Sequence, residues 1–396
     1  MDRLLPWLWL SLLNLSPRAV SAVLQETGDA LEALRAPDKA FHGLRGVTPR
    51  EAEELENRDL AAAEFSLRRC REQKLQVLAL SDDRYPERLR QTPTPPALLL
   101  VQGSLPDLEA APVLAVIGTR RASAYGMKMS RNLARELAAC GGTVLSLLTP
   151  GADEAAAEGA ILAERPALGV LGTAHEACRW PVARRFLAAG GALVSEYPPG
   201  KEQGRHFFRE RNRVAAALSD GVVVVEAPEK SGTRLFVRDA AELGKDVFAV
   251  PGNVDAETSA GTLALLKEGA KLVTCCGDIL EEYLLRYPGL RTEPPDPEEE
   301  APRPAAEEIP ADKEPAASAG GTAPQGSDPE TLRAQLSGLS ADQLRLIAAI
   351  SPPSTHVDEI AERSGLPVSR VLSQLTVLEI KGYVRREPGR YFSLNI

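Results

Sequence analysis

From residue 113 to about 286, short apolar runs alternate with amphipathic stretches. VLAVIG, TVLSLL, ALGVLG, ALVSE, GVVVVEA, DVFAV and KLVTC stand between helical segments such as MKMSRNLARELAAC and GTRLFVRDAAELG. Runs that are apolar on both faces can turn neither to water, so they predict a mainly parallel sheet covered by helices on both sides. The expected fold class is α/β, with a Rossmann-like domain over residues 113–286.

The flanks carry other patterns. Residues 1–70 read as a helical module that resembles helix-hairpin-helix or sterile-alpha-motif folds. Within it NLSPRAVSAVLQETGDALEAL is two short helices joined by a turn, Ser16 capping a helix that Pro17 opens and Gly28 ends. The glycine-rich turn through which such hairpins hold phosphate is missing, which favours a packing role. Residues 71–112 form a connector of two short strands around a proline-rich turn, placed to cover the edge of the sheet that follows. Residues 287–335 are an acidic flexible linker, too poor in apolar side chains to repay ordering.

Residues 336–396 regain periodicity. DQLRLIAAI, STHVDEIAERSG with Thr355 as cap, and LPVSRVLSQLTVLEIKG read as three helices, and YVRREPGRYFSL as a hairpin turning at Pro388-Gly389. That order predicts a winged helix, with Val368, Val371, Leu372, Leu375 and Leu378 toward its core and Ser369, Arg370, Ser373 and Gln374 outward. Seven bases against six acids over 335–396 leave DNA binding, protein docking and a structural role all open for it.

A chain of 396 residues is long enough for two or three cores. Its formal net charge of -9 argues against a polyanionic partner only until the charge is located. Residues 291–330 hold eleven acids and three bases, so the remainder is near neutral and the placement of its arginines decides. Cys70, Cys140, Cys178, Cys275 and Cys276 form no C-x-x-C pair, which argues against a zinc cage or a disulfide framework and fits a reducing cytoplasm. Neither metal nor cofactor is expected. The start, MDRLLPWLWLSLLNLS, has the apolar run of a signal peptide, but Asp2 spoils its basic end and no small-residue cleavage site follows. Leu4, Leu5, Leu8, Leu12 and Leu15 recur at helical spacing, as in a packed helix. No other run is long enough to span a membrane, so no membrane partner is expected.

Candidate chemistry gathers at the carboxyl edge of the sheet, where α/β folds bind ligands. The string RHFFRERNR supplies Arg205, His206, Phe207, Phe208, Arg209, Arg211, Asn212 and Arg213, a cationic and π-bearing surface ahead of a short helix and a strand of valines. After the first strand, the loop GTRRASAYG runs from Gly118 and Thr119 through Arg120 and Arg121 to Gly126. Small residues there let backbone amides approach a phosphate, a helix start adds a positive dipole end, and the arginines add fixed charge. It is not G-x-G-x-x-G, so the dinucleotide fingerprint fails. A second loop, EAPEKSGTRLF, puts Ser231, Gly232 and Thr233 at another helix start. The competing structural reading pairs the arginines with Glu210 and Glu226 or with helix ends.

The strings VIGTRRASAYG, GALVSEYPPG, HFFRERNRVAAALSDGVVVVEAPEKSG, GKDVFAVPGNVD and LLKEGAKLVTCCGDIL, in that order, closely resemble the DNA-processing protein A (DprA/Smf) family. The flanking helical module and winged helix resemble longer members. The resemblance implies a non-enzymatic single-stranded DNA-binding protein, usually a homodimer, that protects incoming DNA, displaces single-strand binding protein and loads a RecA-type recombinase in natural transformation.

One stretch departs from the family pattern. Where the family reads SGxARGIDxxAHxxAL this chain reads SLLTPGADEAAAEGAIL, with Leu147 for glycine, Pro150 for arginine and Ala157 for histidine, while Ser146, Gly151 and Asp153 survive. Leu147 is expected to crowd an approaching phosphate, and the lost arginine removes a contact worth about 1–3 kcal/mol. Either the DNA path shifts or binding weakens. An enzymatic alternative, a nucleotide phosphoribohydrolase with a P-G-G-x-G-T-x-x-E loop, meets PEKSGTRLF here, which lacks the paired glycines and has Phe236 where the carboxylate is needed. His175 and Cys178 sit three apart with no third orienting group, an incidental pair rather than a nucleophile and its base. A third alternative, a protein-interaction scaffold, predicts no nucleic-acid affinity.

Overall fold

The computed structural model describes residues 2–202, 204 and 207–294, and in the C-terminal region residues 341–350, 355–364, 371, 374, 375, 378, 383–387 and 391–394. Two compact units divide the chain at 304/305.

The first unit is built on one nine-stranded sheet. Its strands are β1 (Gln76–Ala79), β2 (Leu98–Gln102), β3 (Val113–Ile117), β4 (Thr143–Ser146), β5 (Ala167–Val170), β6 (Ala192–Ser195), β7 (Gly221–Val224), β8 (Asp246–Ala249) and β9 (Lys271–Leu272), in the spatial order β1-β2-β6-β5-β4-β3-β7-β8-β9. Strands β3 to β9 are parallel to their neighbours, while β2 runs antiparallel to both β6 and β1. The two connector strands therefore extend the sheet rather than merely covering its edge.

Alternation explains the layers. In β3, Val113, Ala115 and Ile117 face one core, and Leu114 and Val116 the other. The second core is filled by helices after β3, β4 and β5, namely α7 (Ala124–Ala139), α8 (Ala152–Leu162) and α9 (Pro181–Ala188), with α13 (Gly277–Leu280). The first is filled by α6 (Glu87–Arg90), α10 (Phe207–Leu218), α11 (Gly232–Glu242) and α12 (Ala260–Lys267). After β6 the chain crosses back through α10 to β7 beside β3, so the winding direction reverses between β3 and β7. Packing continues past 286, since Tyr287 is buried and the Arg291 amide donates to the Cys140 carbonyl.

The helical module packs as α1 (Leu5–Leu12), α2 (Pro17–Thr27), α3 (Ala30–Arg35), α4 (Pro49–Glu54) and α5 (Ala61–Glu72) around a core that includes Trp7, Leu8, Trp9 and Leu10. Leu98 and Leu100 of β2 close that core from the sheet side, so the module is seated on the sheet edge. Ser16 caps α2 by accepting from the Ala19 amide, and Gly28 ends it at φ 77°, both as the sequence predicts. Among the described residues no helix is long and apolar enough to cross a membrane.

In the second unit, helices Ala341–Ala349 and Val357–Ser364 stand with a three-stranded sheet of β10 (Thr355–His356), β11 (Val384–Glu387) and β12 (Tyr391–Leu394) in the order β10-β12-β11. This is the winged-helix order. Val371, Leu375 and Leu378 face the core as expected, and Thr355 lies in β10, paired with Phe392, just ahead of the helix Val357–Ser364. Gln374 accepts from Gln343 at 3.0 Å rather than standing free, and Ser369, Arg370, Ser373 and the turn at Pro388-Gly389 lie outside the described residues.

Candidate nucleic-acid interface

Helix α10 begins above the carboxyl edge of the sheet, and its register sorts the RHFFRERNR string. Residues three apart share a helix face. Phe208 and Arg211 therefore turn one way, and Phe207, Glu210 and Arg213 another.

On the first face two guanidinium groups, those of Arg120 and Arg211, each lie 5.7 Å from the centroid of the Phe208 ring. A Cβ added at Gly172, just beyond β5, would meet this ring at 3.0 Å. Arg120 and Arg121 are exposed, and so is Arg209. Arg211 is buried at 6 % exposure and donates to the Leu147 carbonyl at 3.3 Å and to Asn212 Oδ1 at 3.2 Å, while its Nε has no partner among the described residues. Burial lowers its pKa to about 10, against the opposing pull of Asp153, so the group stays charged at neutral pH. Two cations beside one half-buried ring concentrate positive charge and π surface at one point of the sheet edge.

Beneath this face lies a buried network. Asp153 Oδ1 accepts the Gly118 amide at 3.0 Å, and its Oδ2 accepts the Thr149 hydroxyl. The Ser146 hydroxyl donates to the Asp153 carbonyl at 2.8 Å. Gly151 holds φ 94°, and a Cβ there would lie 2.5 Å from the Thr119 carbonyl oxygen, so the altered second loop keeps the glycine that its close approach to the first requires. Leu147 does not crowd the site as expected, because its side chain is buried in the core and only its carbonyl faces Arg211.

Several expectations are corrected. Phe207 is buried and stacked on Tyr197 with centroids 4.0 Å apart, so it offers no face to a base. Arg213 donates to Glu196 and, at 2.6 Å, to the Thr94 carbonyl, which ties α10 to the connector. The start of α7 is already filled. Glu226 takes the Ser123 amide at 2.8 Å, the Ser123 hydroxyl at 2.6 Å and the Thr258 hydroxyl at 3.1 Å. A Cβ at Gly126 would fall 2.2 Å from Glu226 Oε2, so this glycine makes room for an internal carboxylate rather than for a phosphate. Glu210 receives the Tyr197 hydroxyl at 3.1 Å; neither Glu210 nor Glu226 forms an ion pair with an arginine among the described residues.

The remaining candidates divide. The Thr119 amide donates to the Glu226 carbonyl at 2.8 Å, joining the two loops. Gly232 is exposed and Thr233 buried at the start of α11, and the Ser231 hydroxyl is buried without a partner. No hydrogen bond among the described residues links these three to the arginine face. Arg205 and His206 lie outside the described residues. Phe236, where the enzymatic alternative needs a carboxylate, is buried at 1 % exposure. His175 Nε2 lies 3.2 Å from the Leu193 carbonyl oxygen, and burial lowers its pKa to about 4, so it is a weak base, and its ring makes no hydrogen bond to Cys178 among the described residues.

Comparisons with known proteins agree with this architecture. Residues 76–284 match the family model described as DNA recombination-mediator protein A, and residues 329–390 match the DprA winged helix domain. Protein Smf of Escherichia coli is 33 % identical over 353 residues, covering 88 % of this chain and 85 % of that protein. The DNA processing protein DprA of Streptococcus pneumoniae is 35 % identical over 219 residues, 53 % of this chain and 75 % of that one. An X-ray structure of DprA from Streptococcus pneumoniae superposes with a TM-score of 0.59 at 30 % identity, covering 69 % of this chain and 95 % of that one. With the Rossmann-like sheet, the winged helix and the match across most of its length, this chain belongs to the DprA/Smf family of DNA recombination-mediator proteins.

Proposed function

We propose that this protein binds single-stranded DNA at the face of α10 that carries Phe208 and Arg211, without sequence preference, as a DNA-processing protein of natural transformation. The observation that carries the reading is the half-buried Phe208 ring with the guanidinium groups of Arg120 and Arg211 each 5.7 Å from its centroid, at the carboxyl edge of the sheet. Bases stack on the ring, and Arg120, Arg121 and Arg209 neutralise phosphates. Ser231, Gly232 and Thr233 extend the backbone-contacting surface along the same edge.

In this reading the protein protects incoming DNA, acts as a homodimer and hands the strand to a RecA-type recombinase in the cytoplasm. It is not an enzyme. The absence of a carboxylate at Phe236 and the sealed environment of His175 support binding without turnover. Fluorescent oligo-dT titrated at two salt concentrations, with nucleoside monophosphate turnover followed in the same samples, tests it. Salt-dependent binding without turnover, weaker for duplex, is expected; equal affinity for duplex and single strand, or no salt dependence, overturns it.

A further inference from the structure

On the other flank of α10 a groove of about 850 Å³ separates the helical module from the sheet domain. Phe207, Glu210 and Arg213 form one wall, and the opposite wall is made by the starts of α2 and α4 with Pro95 and Pro96. Its carboxylates are all engaged within the protein. Glu51 takes the Ser16 amide at 2.7 Å and the Thr48 amide at 2.8 Å, Glu196 takes Arg213, and Glu210 takes the Tyr197 hydroxyl. Arg18 and Arg50, in the Ser-Pro-Arg and Thr-Pro-Arg turns that open α2 and α4, are exposed on the rim, with no hydrogen-bonding or ionic partner among the described residues. The groove thus presents two unspent cations on its rim, with Arg213 and Lys201 set among the carboxylates of Glu51, Glu196 and Glu210 in its floor.

We infer that this groove is a second contact surface for the same single strand, the helical module holding phosphates of the nucleotides that run on past the Phe208 face. This rests on the reading above. The two surfaces flank one short segment, the first two turns of α10, which supplies Phe208 and Arg211 to one and Phe207, Glu210 and Arg213 to the other. Prolines 17, 95 and 96 give the groove flat apolar surface against which sugars and bases rest, while Arg18 and Arg50 contact the backbone and carry no base information. A strand long enough to reach the module gains two phosphate contacts, and a short one gains none.

The test compares oligo-dT of about 6 and about 25 nucleotides on the full chain with Arg18 and Arg50 both changed to Ala. For the long oligonucleotide the double variant is expected to bind roughly tenfold more weakly, with a log–log salt slope shallower by about 1.4, the value for two phosphates of a single strand. Binding of the short oligonucleotide stays as in the parent. Hydrogen–deuterium exchange on the parent chain is expected to show protection of residues 15–20 and 47–51 by the long oligonucleotide only. Unchanged long-strand affinity and slope, or no protection, overturns the inference. Arg120→Ala keeps the two readings apart: it is expected to weaken both lengths, and if it weakens neither, the Phe208 face is wrong irrespective of the groove.

Discussion

The two faces of α10 begin from nearly the same chemistry and end in opposite states. Each has a phenylalanine and an arginine within two turns, Phe207 with Arg213 and Phe208 with Arg211. The first pair is consumed by the protein, the ring stacked on Tyr197 and the guanidinium spent on Glu196 and Thr94. The second is left incomplete. Its ring is only half-buried, and a second arginine, the exposed Arg120, comes from another loop; the Nε atoms of Arg211 and Arg213 alike lack a hydrogen-bond partner among the described residues, so the rings and the added cation make the difference. A ring buried against another ring, beside a guanidinium tied to a carboxylate, stiffens a fold, whereas a half-buried ring beside an exposed cation is placed to take a ligand.

The comparison breaks most severely at its sealed side. Arg213→Ala strands Glu196, which is 12 % exposed and whose carboxyl burial already pushes above the usual range, with Arg213 pulling it back. Removing one partner of such a pair typically costs about 3–5 kcal/mol. Urea denaturation is expected to show a loss of that order, with affinity for a short oligonucleotide unchanged while the protein is folded. Intact stability with lost binding would move Arg213 into the site.

A smaller effect sits under the open side. Burial pushes the Asp153 carboxyl from its ordinary 3.8 to about 6, while the Thr149 hydroxyl, Arg211 and the Gly118 amide pull it back. A carboxyl raised on folding is easier to keep neutral than charged. Its contribution to stability is therefore fully present below about pH 4 and lost as pH rises through about 6. The full loss is about 3 kcal/mol by order of magnitude. Asp153→Asn, which still accepts a hydrogen bond, should remove that drop, so that variant and parent converge in acid and separate near neutrality. Parallel stability curves from pH 4 to 7 would show that Asp153 is ionised throughout.

Binding itself should respond at the ring. Phe208→Ala is expected to weaken short oligo-dT by about 1–3 kcal/mol, the range for one base–aromatic stack, with the salt slope kept. Phe207→Ala should instead lower stability, and leave binding by the folded protein as it was. An exchange of those two outcomes would invert the assignment of the faces.

Much of this was legible before any coordinates. Valine-rich strands between amphipathic helices announce the parallel sheet, whereas RHFFRERNR reads as a segment ahead of its helix and proves to carry the first turns of α10, whose register separates residues 207, 210 and 213 from 208 and 211. What spacing could not say was which face the protein would close, because Tyr197 and Glu196 reach α10 from beyond a turn. The phosphate cradle read into GTRRASAYG failed for a like reason: the carboxylate that fills it comes from Glu226, 103 residues after Ser123. A local motif records a helix start but not what occupies it. The Leu147 substitution looked obstructive because sequence carries no direction, and the structure turns the side chain into the core.

The smallest expected effect concerns the region beyond the sheet. Packing of Tyr287 and the bond from Arg291 to Cys140 mean that a truncation belongs after residue 294, not at 286, so that the core is left whole. Residues 295–330 carry ten acids against two bases, a charge expected to disfavour a polyanion on the same chain at low salt. The winged-helix region is close to charge balance and offers little to offset this repulsion. Removing residues 295–396 should leave single-strand affinity nearly the same at physiological salt and raise it slightly at low salt, where the acidic segment is least screened. Titration of short oligo-dT at two ionic strengths against both lengths of protein checks this. A large loss on truncation would place the main contact in the winged helix, and the difference between the two faces of α10 would then concern stability alone.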